Sequence, residues 1–165
     1  MTTKEVFEQV VRDHHAMIHR IAASYEARTA LVDDLVQDIY IAIWQALPVF
    51  RGESSLKTFV ARIATNRAIT YVVRASRRPV AVELSEQLLA RGADPERHAI
   101  AQDRRARLFS AVRAMPLTYR QVAMLALEGL TAREIADVLG ISPNAVSIRL
   151  SRAKDWLRAR MGDTL

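Results

Sequence analysis

The sequence predicts an all-α protein with two small helical domains joined by a linker. Ala, Leu, Arg and Val dominate, whereas Gly and Pro number only 5 each. Hydrophobic residues recur at three- and four-residue steps through most of the chain, which is the spacing of amphipathic helices. The dipeptides Asn-Gly and Asp-Gly, which favour β-hairpins, are absent. A length of 165 residues allows one domain or two small ones.

The first predicted domain covers residues 4–78 and contains three helices. Apolar residues at helical spacing predict helices over about 4–25, 31–47 and 55–74. On the second helix, Trp44 is expected beside the inner face. The residues expected on the inner side of the third helix are Leu56, Phe59, Val60, Ile63 and Val72. Pro48 ends the second helix, and a loop follows it. Three helices with short connections can enclose one core.

A linker is expected over residues 79–104, where the helical pattern weakens. Pro79, Gly92 and Pro95 interrupt it, and only residues 84–89 could form a brief helical turn. We therefore expect this segment to be partly ordered at most.

The second predicted domain covers residues 105–160. Its first helix stops at Pro116, and the spacing of Thr118 to Gln121 predicts a capping box for the next helix. A second capping box is expected at Thr131 to Glu134. The last helix, about 143–159, has Ser142 as N-cap and Pro143 at its first position.

Residues 131–154 have the pattern of a helix-turn-helix, with Gly140 in the turn. On a helical wheel Val146, Leu150, Ala153 and Leu157 lie on the inner side of the last helix. The outer side mixes cations, hydrogen-bonding groups and one aliphatic group, which suits a DNA major groove. The alternative is a solvated helix face with scattered positive charge. The candidate contact residues are Asn144, Ser147, Ile148, Arg149, Ser151 and Arg152.

A second basic element lies on the third helix and its tail. Six basic residues and no acid occur between Lys57 and Arg78. Arg67, Tyr71 and Arg74 follow one helical stripe, and arginines with an interleaved aromatic suit a phosphate backbone and unstacked bases. The alternative is a solubilising face, but such faces normally mix both signs of charge.

The second helix has the opposite character. Asp33, Asp34, Gln37 and Asp38 form an acidic face that would repel DNA, so it favours a protein partner. Acids near a helix N-terminus can also offset the helix dipole, but that does not explain Ile41, an apolar residue placed outward on the same side.

The amino-acid composition excludes several classes of protein. Half of the residues are hydrophobic and a quarter are charged, which excludes wholesale disorder, and the net charge of +6 favours a polyanionic partner, either nucleic acid or an acidic membrane surface. With 0 Cys, disulfides, thiolate metal sites and cysteine nucleophiles are excluded. No apolar run approaches the roughly 18 residues of a membrane span, and the N-terminus lacks a signal-peptide profile. We expect a cytoplasmic protein that is not itself a membrane protein.

Histidines are the only candidates for a metal site. His15 and His19 are four residues apart, but no Glu lies between them in the arrangement of a zinc protease helix, and no third ligand is evident. His14 and the distant His98 complete the set. No phosphate-binding glycine loop or nucleophile elbow occurs, so we expect no metal, no cofactor and no enzymatic activity.

Taken together, these motifs resemble a bacterial RNA polymerase sigma factor of the extracytoplasmic-function (ECF) group. The similarity covers about 5–78 and 105–160. In the first stretch, Asp33 to Asp38, Trp44 to Leu56 and Ala61 to Ala68 are similar to the family's region 2. In the second, the similarity to region 4 is carried by Tyr119 to Val122, Gly129 to Gly140 and Val146 to Lys154.

The resemblance implies roles for these surfaces. The face with Asp34, Gln37, Asp38 and Ile41 would dock on the clamp helices of the largest polymerase subunit. The last helix would bind the −35 element as duplex, and the linker would pass through the polymerase interior. Family members are commonly held inactive by an anti-sigma factor, which is therefore an expected partner. The −10 element would meet Arg51, Lys57, Arg62, Asn66, Arg67, Tyr71 and Arg74.

Three other classes fit the residues less well. A stand-alone helix-turn-helix regulator would bind a palindrome as a dimer, but it would not need the acidic face or the second basic helix. A metal-dependent hydrolase using His15 and His19 lacks further ligands. A protein that sequesters sigma factors would not need two basic faces.

Overall fold

The structure, a computed structural model, describes residues 1–77 and 95–162, with residues 95–98 as backbone only. The described part confirms the all-α prediction. Arg78, the brief turn expected at 84–89, and the side chain of His98 lie outside the described residues. In the described ranges the elements are α1 (Thr3–Ala23), α2 (Thr29–Ala46), a short 3-10 helix (Leu47–Val49), α3 (Leu56–Ser76), α4 (Pro95–Ala114), α5 (Leu117–Leu127), α6 (Ala132–Leu139) and α7 (Pro143–Met161).

Helices α1 to α3 pack against one another as the first helical unit. Thr2 caps α1: its hydroxyl accepts from the amide of Glu5, whose carboxylate accepts from the Thr2 amide in return. Helix α2 ends just before Pro48, as predicted, and Pro48 lies in the short 3-10 helix that follows. The core of this unit is built from large aliphatic side chains with almost no solvent exposure, Ile18, Ile21, Ile39, Ile43 and Val60.

The buried face of α3 differs from the expected one. Of the residues predicted to face inward, Val60 is fully buried, whereas Leu56, Phe59, Ile63 and Val72 are only half-buried. The centre of the contact is formed by small residues, and their size allows the backbones of neighbouring helices to approach closely. These fully buried residues are Ala61, Ala64 and Ala68.

The second helical unit consists of α4 to α7. Helix α4 begins at Pro95, earlier than the predicted start near Arg105, so the end of the expected linker is helical. The capping box predicted at Thr118 is wrong: Pro116 is the N-cap, no side chain caps α5, and Thr118 already lies in its first turn.

The caps predicted for α6 and α7 are confirmed. Thr131 forms a capping box with Glu134, and the Ser142 hydroxyl accepts from the amide of Ala145 at 3.1 Å. Between the two helices Gly140 has a φ of 66°, a left-handed conformation that glycine adopts without steric cost. The turn therefore fixes the angle at which α7 leaves α6.

The two units pack together. One cluster of buried side chains extends from α1, α2 and α3 into α5, α6 and α7, and α3 contacts α6 directly. A second cluster joins α4, α5 and α7 through Val112, Met115, Met124 and Leu157. Helix α5 thus contributes buried residues to both clusters.

Within residues 1–77 and 95–162, no helix is both long enough and apolar enough to cross a membrane.

Candidate nucleic-acid and protein interfaces

Helix α7 presents the face that the sequence predicts. Val146, Ala153 and Leu157 are buried beneath it, and Leu150 is half-buried. Ile148 is 54% exposed and offers an aliphatic contact for a thymine methyl. Arg149 is half-buried at the flank, whereas five of the predicted contact residues are exposed: Asn144, Ser147, Ile148, Ser151 and Arg152.

Helix α3 carries an exposed cationic surface. The side chains of Asn66, Arg67 and Arg74 face solvent, and Arg51 is exposed in the loop before the helix. Acids are absent between positions 57 and 77, so the field on this face has one sign. Such a surface suits the phosphates of a nucleic acid strand.

Two of the side chains predicted to contact DNA from α3 are engaged with the second helical unit instead. The Nζ of Lys57 donates to the backbone carbonyl of Glu128 at 2.6 Å. An Arg62 guanidinium nitrogen donates to the carbonyl of Asp137 at 3.0 Å. In this arrangement of the chain Lys57 is half-buried against the second helical unit, whereas Arg62 remains exposed while it makes its contact.

Tyr71 also differs from expectation. The sequence predicts that its ring is open to unstacked bases, but Tyr71 is half-buried and its hydroxyl donates to Glu26. Burial, and then the adjacent Glu26 carboxylate, raises the pKa of Tyr71 to about 12. The ring is consequently held against the first helical unit, and a role in stacking would require it to move.

Glu26 is the main residue of this unit that the sequence did not reveal. It is 8% exposed, and its Oε1 accepts from the amides of Ala27 and Arg28 at 2.8 and 2.9 Å and from the Arg28 Nε at 3.1 Å. Burial by itself would raise the pKa of Glu26, but the hydrogen bonds from Arg28 and Tyr71 outweigh it and lower the pKa to about 2. Glu26 therefore ties the turn before α2 to α3.

The loop between α2 and α3 is shaped by aromatic and backbone contacts. The rings of Phe50 and Phe59 lie 4.5 Å apart, and Gly52 turns the chain with a φ of 73°. Ser55 then caps α3 by accepting from the Thr58 amide at 3.1 Å. These contacts fix both ends of the loop that carries Arg51.

The outer face of α2 combines acids with exposed apolar groups. Asp34, Gln37 and Asp38 are exposed, and Ile41 is 56% exposed, as predicted. Trp44, which the sequence places beside the inner face, is 46% exposed. Its ring packs edge-to-face against that of Phe7, with the ring centres 5.2 Å apart. Its position three residues after Ile41 is a signal that could have placed it on this face.

The histidines are arranged without a metal-like geometry. The Nδ1 of His15 lies 2.8 Å from the Tyr40 hydroxyl, and the His15 and His19 rings are 6.3 Å apart. Across residues 1–77 and the described side chains of the second unit, no group of three or more His, Cys, Asp or Glu is placed to hold a metal ion.

Two sequence families match the chain in the order expected. Residues 10–78 match Sigma-70 region 2, and residues 105–157 match Sigma-70, region 4. The first match contains α2, α3 and the loop between them, and the second contains α5, α6, most of α7 and the second half of α4.

Curated relatives include the ECF RNA polymerase sigma-E factors of Escherichia coli (strain K12) and Haemophilus influenzae. The first is 26% identical over 175 residues, covering 94% of this chain and 92% of the relative. The second is 24% identical over 172 residues, covering 96% and 88%.

Solved structures agree with this assignment. CnrH, in complex with the cytosolic domain of CnrY, has a TM-score of 0.72 and 26% identity, covering 98% of this chain and 91% of that one. The sigma factor RpoE in complex with the anti-sigma factor NepR, from Bartonella quintana, has a TM-score of 0.76 and 17% identity, with coverages of 98% and 99%, and so shares the fold. With regions 2 and 4 both matched and the relatives aligned along nearly their whole length, the chain belongs to the ECF group of sigma-70 factors, which direct RNA polymerase to specific promoters.

Proposed function

We propose a division of labour among three surfaces of this sigma factor. The outer face of α2 binds core polymerase, the loop before α3 together with α3 holds the opened −10 strand, and α7 binds the −35 duplex. The observation that carries the proposal is the separation of charge, because the acidic residues of α2 and the cations of α3 and α7 occupy different exposed helix faces.

The α2 face suits a protein partner. Exposed Ile41 and Trp44 provide apolar area for the centre of an interface, and Asp34, Gln37 and Asp38 surround them with hydrogen-bonding groups. A carboxylate-rich surface disfavours the phosphates of DNA. We assign this face to the clamp helices of the largest polymerase subunit.

The α3 surface suits a displaced single strand. Arg67 and Arg74, with Arg51 from the preceding loop, supply cations for the backbone, and Asn66 supplies hydrogen bonds. Holding the displaced strand would favour the open state of the promoter, so we assign this surface a part in promoter opening.

The α7 surface suits duplex DNA. Asn144 and Arg152 can hydrogen-bond base edges in a major groove, and Ile148 can contact a thymine methyl. Each DNA-binding surface alone would bind weakly. When polymerase holds both surfaces on one promoter, the second binding event becomes intramolecular and the overall affinity rises.

The cellular location and the regulatory partner of the protein are inferred from the same assignment. We place its action in the cytoplasm, where core polymerase is found, and assign it no catalytic step of its own. RpoE was solved with the anti-sigma factor NepR, which supports a similar regulatory partner for this chain.

Transcription of genomic DNA by purified core polymerase tests the proposal and does not require a known promoter sequence. Transcript 5′ ends are mapped with no addition, with the wild-type protein, and with Arg152→Ala. Specific start sites should appear only with the wild-type protein, and Arg152→Ala should weaken them. Arg158→Ala, which removes the same charge from an exposed position further along α7, is the matched control. Identical 5′ ends with and without the wild-type protein would refute the proposal.

A further inference from the structure

The hydroxyl of Ser147, on the exposed face of α7, is already engaged as a hydrogen-bond donor within the helix. We infer that Ser147 determines one base of the −35 element by accepting a hydrogen bond from it, so that this base is adenine or cytosine and not guanine or thymine. The inference rests on the proposed function, because it takes α7 as the helix that lies in the major groove.

The hydrogen bond of Ser147 limits what its side chain can offer to a ligand. Its Oγ donates to the backbone carbonyl of Pro143, four residues earlier, at 3.2 Å. A carbonyl oxygen has no hydrogen to give, so the serine hydroxyl is the donor in this pair. A hydroxyl has one hydrogen and two lone pairs. Because the hydrogen is directed at Pro143, only the lone pairs of Ser147 are left for a base.

The carbonyl that accepts this hydrogen bond lies in a turn that is held at several points. Pro143 is the first residue of α7, where its ring restricts the backbone, and the Ser142 hydroxyl accepts from the Ala145 amide at 3.1 Å. The Val146 amide donates to the Ser142 carbonyl at 3.1 Å. These contacts keep the Pro143 carbonyl within reach of Ser147, so the direction of the hydroxyl hydrogen is set before DNA binds.

Ser147 lies among the residues that we assign to the major groove. It is exposed, and it is followed directly by the exposed Ile148. Asn144 lies three residues before Ser147 and Ser151 lies four residues after it, and side chains at these spacings are neighbours on a helix surface. A duplex that contacts Asn144 and Ile148 therefore lies within reach of the Ser147 lone pairs.

The bases differ in the hydrogen bonds that they offer in the major groove. Adenine and cytosine each present an amino group that donates, whereas guanine O6, thymine O4 and the purine N7 atoms accept. The lone pairs of Ser147 match an amino group and are opposed by an accepting oxygen. Donation to guanine or thymine would require the hydroxyl to leave Pro143, and the loss of that hydrogen bond offsets the gain. Since each base pair has its amino group on one strand only, the preference is also strand-specific.

Ser151 provides a comparison on the same helix. It is exposed one turn after Ser147, and its hydroxyl has no hydrogen-bond partner within the described part of the chain. A hydroxyl in this condition can turn to donate or to accept, so it does not distinguish an amino group from a carbonyl. The two serines thus carry the same group on one surface but differ in whether its hydrogen is already bound.

The first test maps base preferences with the holoenzyme. Core polymerase is combined with the wild-type protein, Ser147→Ala, Ser147→Thr or Ser151→Ala. Each holoenzyme transcribes a library built on one mapped promoter in which the −35 element is randomised. Sequencing of the templates that give transcripts then reports the frequency of each base at each position.

The wild-type protein should favour adenine or cytosine over guanine or thymine at one position by about threefold to tenfold, the range of one net hydrogen bond. Ser147→Ala should bring that preference to within about twofold of equal. Ser147→Thr should retain it, because a threonine hydroxyl also donates to the carbonyl four residues earlier. Ser151→Ala should leave this position unchanged. Loss of a guanine or thymine preference in Ser147→Ala, or no change at any position, would overturn the inference.

Base analogues at the position so identified separate accepting from donating. Where the base is adenine, purine lacks the 6-amino donor and 7-deazaadenine lacks the N7 acceptor; where it is cytosine, pyrimidin-2-one lacks the 4-amino donor. Removal of the amino group should weaken binding of the wild-type holoenzyme about threefold to tenfold more than binding of the Ser147→Ala holoenzyme. Replacement of N7 should affect both proteins equally. A larger N7 effect in the wild-type protein would mean that Ser147 donates, and would overturn the inference.

Failure of the proposed function would look different. A wild-type protein that directs no start sites, or that has no base preference anywhere in the −35 element, would refute the assignment of α7 to the −35 duplex. Preferences that persist unchanged in Ser147→Ala would leave that assignment standing and would overturn only the role of Ser147.

Discussion

The hydroxyl of Tyr71 donates a hydrogen bond to Glu26, which links α3 to the turn before α2 across 45 positions of sequence. Arg28 completes the arrangement by donating to both carboxylate oxygens of Glu26, each at 3.1 Å. A nearly buried carboxylate thus holds together the two helices assigned to polymerase and to the −10 strand. The protonation state of Glu26 should therefore affect the free energy of unfolding.

Replacement of Glu26 by Gln should destabilise the protein at neutral pH by about 1–3 kcal/mol. The pKa of Glu26 is about 2 in the folded state, below its ordinary value of 4.5. The stabilisation is therefore complete above about pH 4.5 and is lost as the pH falls through 2. Urea unfolding of both proteins between pH 7 and 3 should show a gap that narrows with acidity. A gap that stays constant over this range would contradict the assignment.

Two substitutions at Tyr71 separate its structural role from stacking on bases. Tyr71→Phe removes the hydrogen bond to Glu26 but keeps the ring, so it should lower stability by about 1 kcal/mol and leave single-strand binding within about twofold. Tyr71→Leu should weaken single-strand binding as well if the ring moves to stack on a base. Equal DNA binding by both variants and the wild-type protein would exclude a stacking role.

Because neighbouring helices pack closely against the buried alanines of α3, a larger side chain at these positions should destabilise the protein. Ala64 is fully buried, and Ala64→Leu should cost about 1–3 kcal/mol because the neighbouring side chains have little space to move. Thermal unfolding measures the change. Ala75→Leu, at an exposed position of the same helix, is the control and should lie within about 0.5 kcal/mol of the wild-type protein.

The α2 face can be tested by placing a charge at its apolar centre. Ile41→Asp should weaken binding to core polymerase by about tenfold or more, because the new carboxylate would lose its hydration in the interface. Val11→Asp, which alters an exposed apolar residue of α1, is the matched control and should bind as the wild-type protein does. Titration of labelled protein with core polymerase gives both affinities. Equal weakening in the two variants would argue against a specific role for α2.

At α7, Arg152→Ala should weaken binding to a matched −35 duplex by about 1–3 kcal/mol for each bidentate pair of hydrogen bonds that it removes. The comparison requires duplexes taken from the mapped start sites and scrambled versions of them. The effect should be larger for the matched duplex, since hydrogen bonds to bases carry the sequence preference. Equal binding of the wild-type protein to matched and scrambled duplexes would contradict the assignment.

Local patterns in the sequence predicted local structure well. The capping box at Thr131, the turn at Gly140 and the exposed face of α7 depend on residues within a few positions of one another, and the structure confirms all three. The capping box at Thr118 was wrong because Pro116 already takes the N-cap position of α5. The spacing of residues in the sequence did not show whether Pro116 or Thr118 is the N-cap of α5.

Contacts between distant residues had no comparable signal. The pairing of Arg20 with Glu128 joins positions 108 apart, and the sequence around each residue resembles any solvated helix end. The buried alanines of α3 were missed for another reason: alanine is too weakly hydrophobic to mark a face, although its small size is what the packing needs. Interdomain contacts and close helix contacts therefore required the structure.

Mapping of transcript 5′ ends made by core polymerase on genomic DNA, with and without this protein, tests the central claim most directly. The account predicts a set of start sites that depends on the protein, shares two upstream sequence elements, and loses intensity with Arg152→Ala but not with Arg158→Ala. Transcripts that are the same with and without the protein, or protein-dependent sites without shared upstream elements, would contradict it.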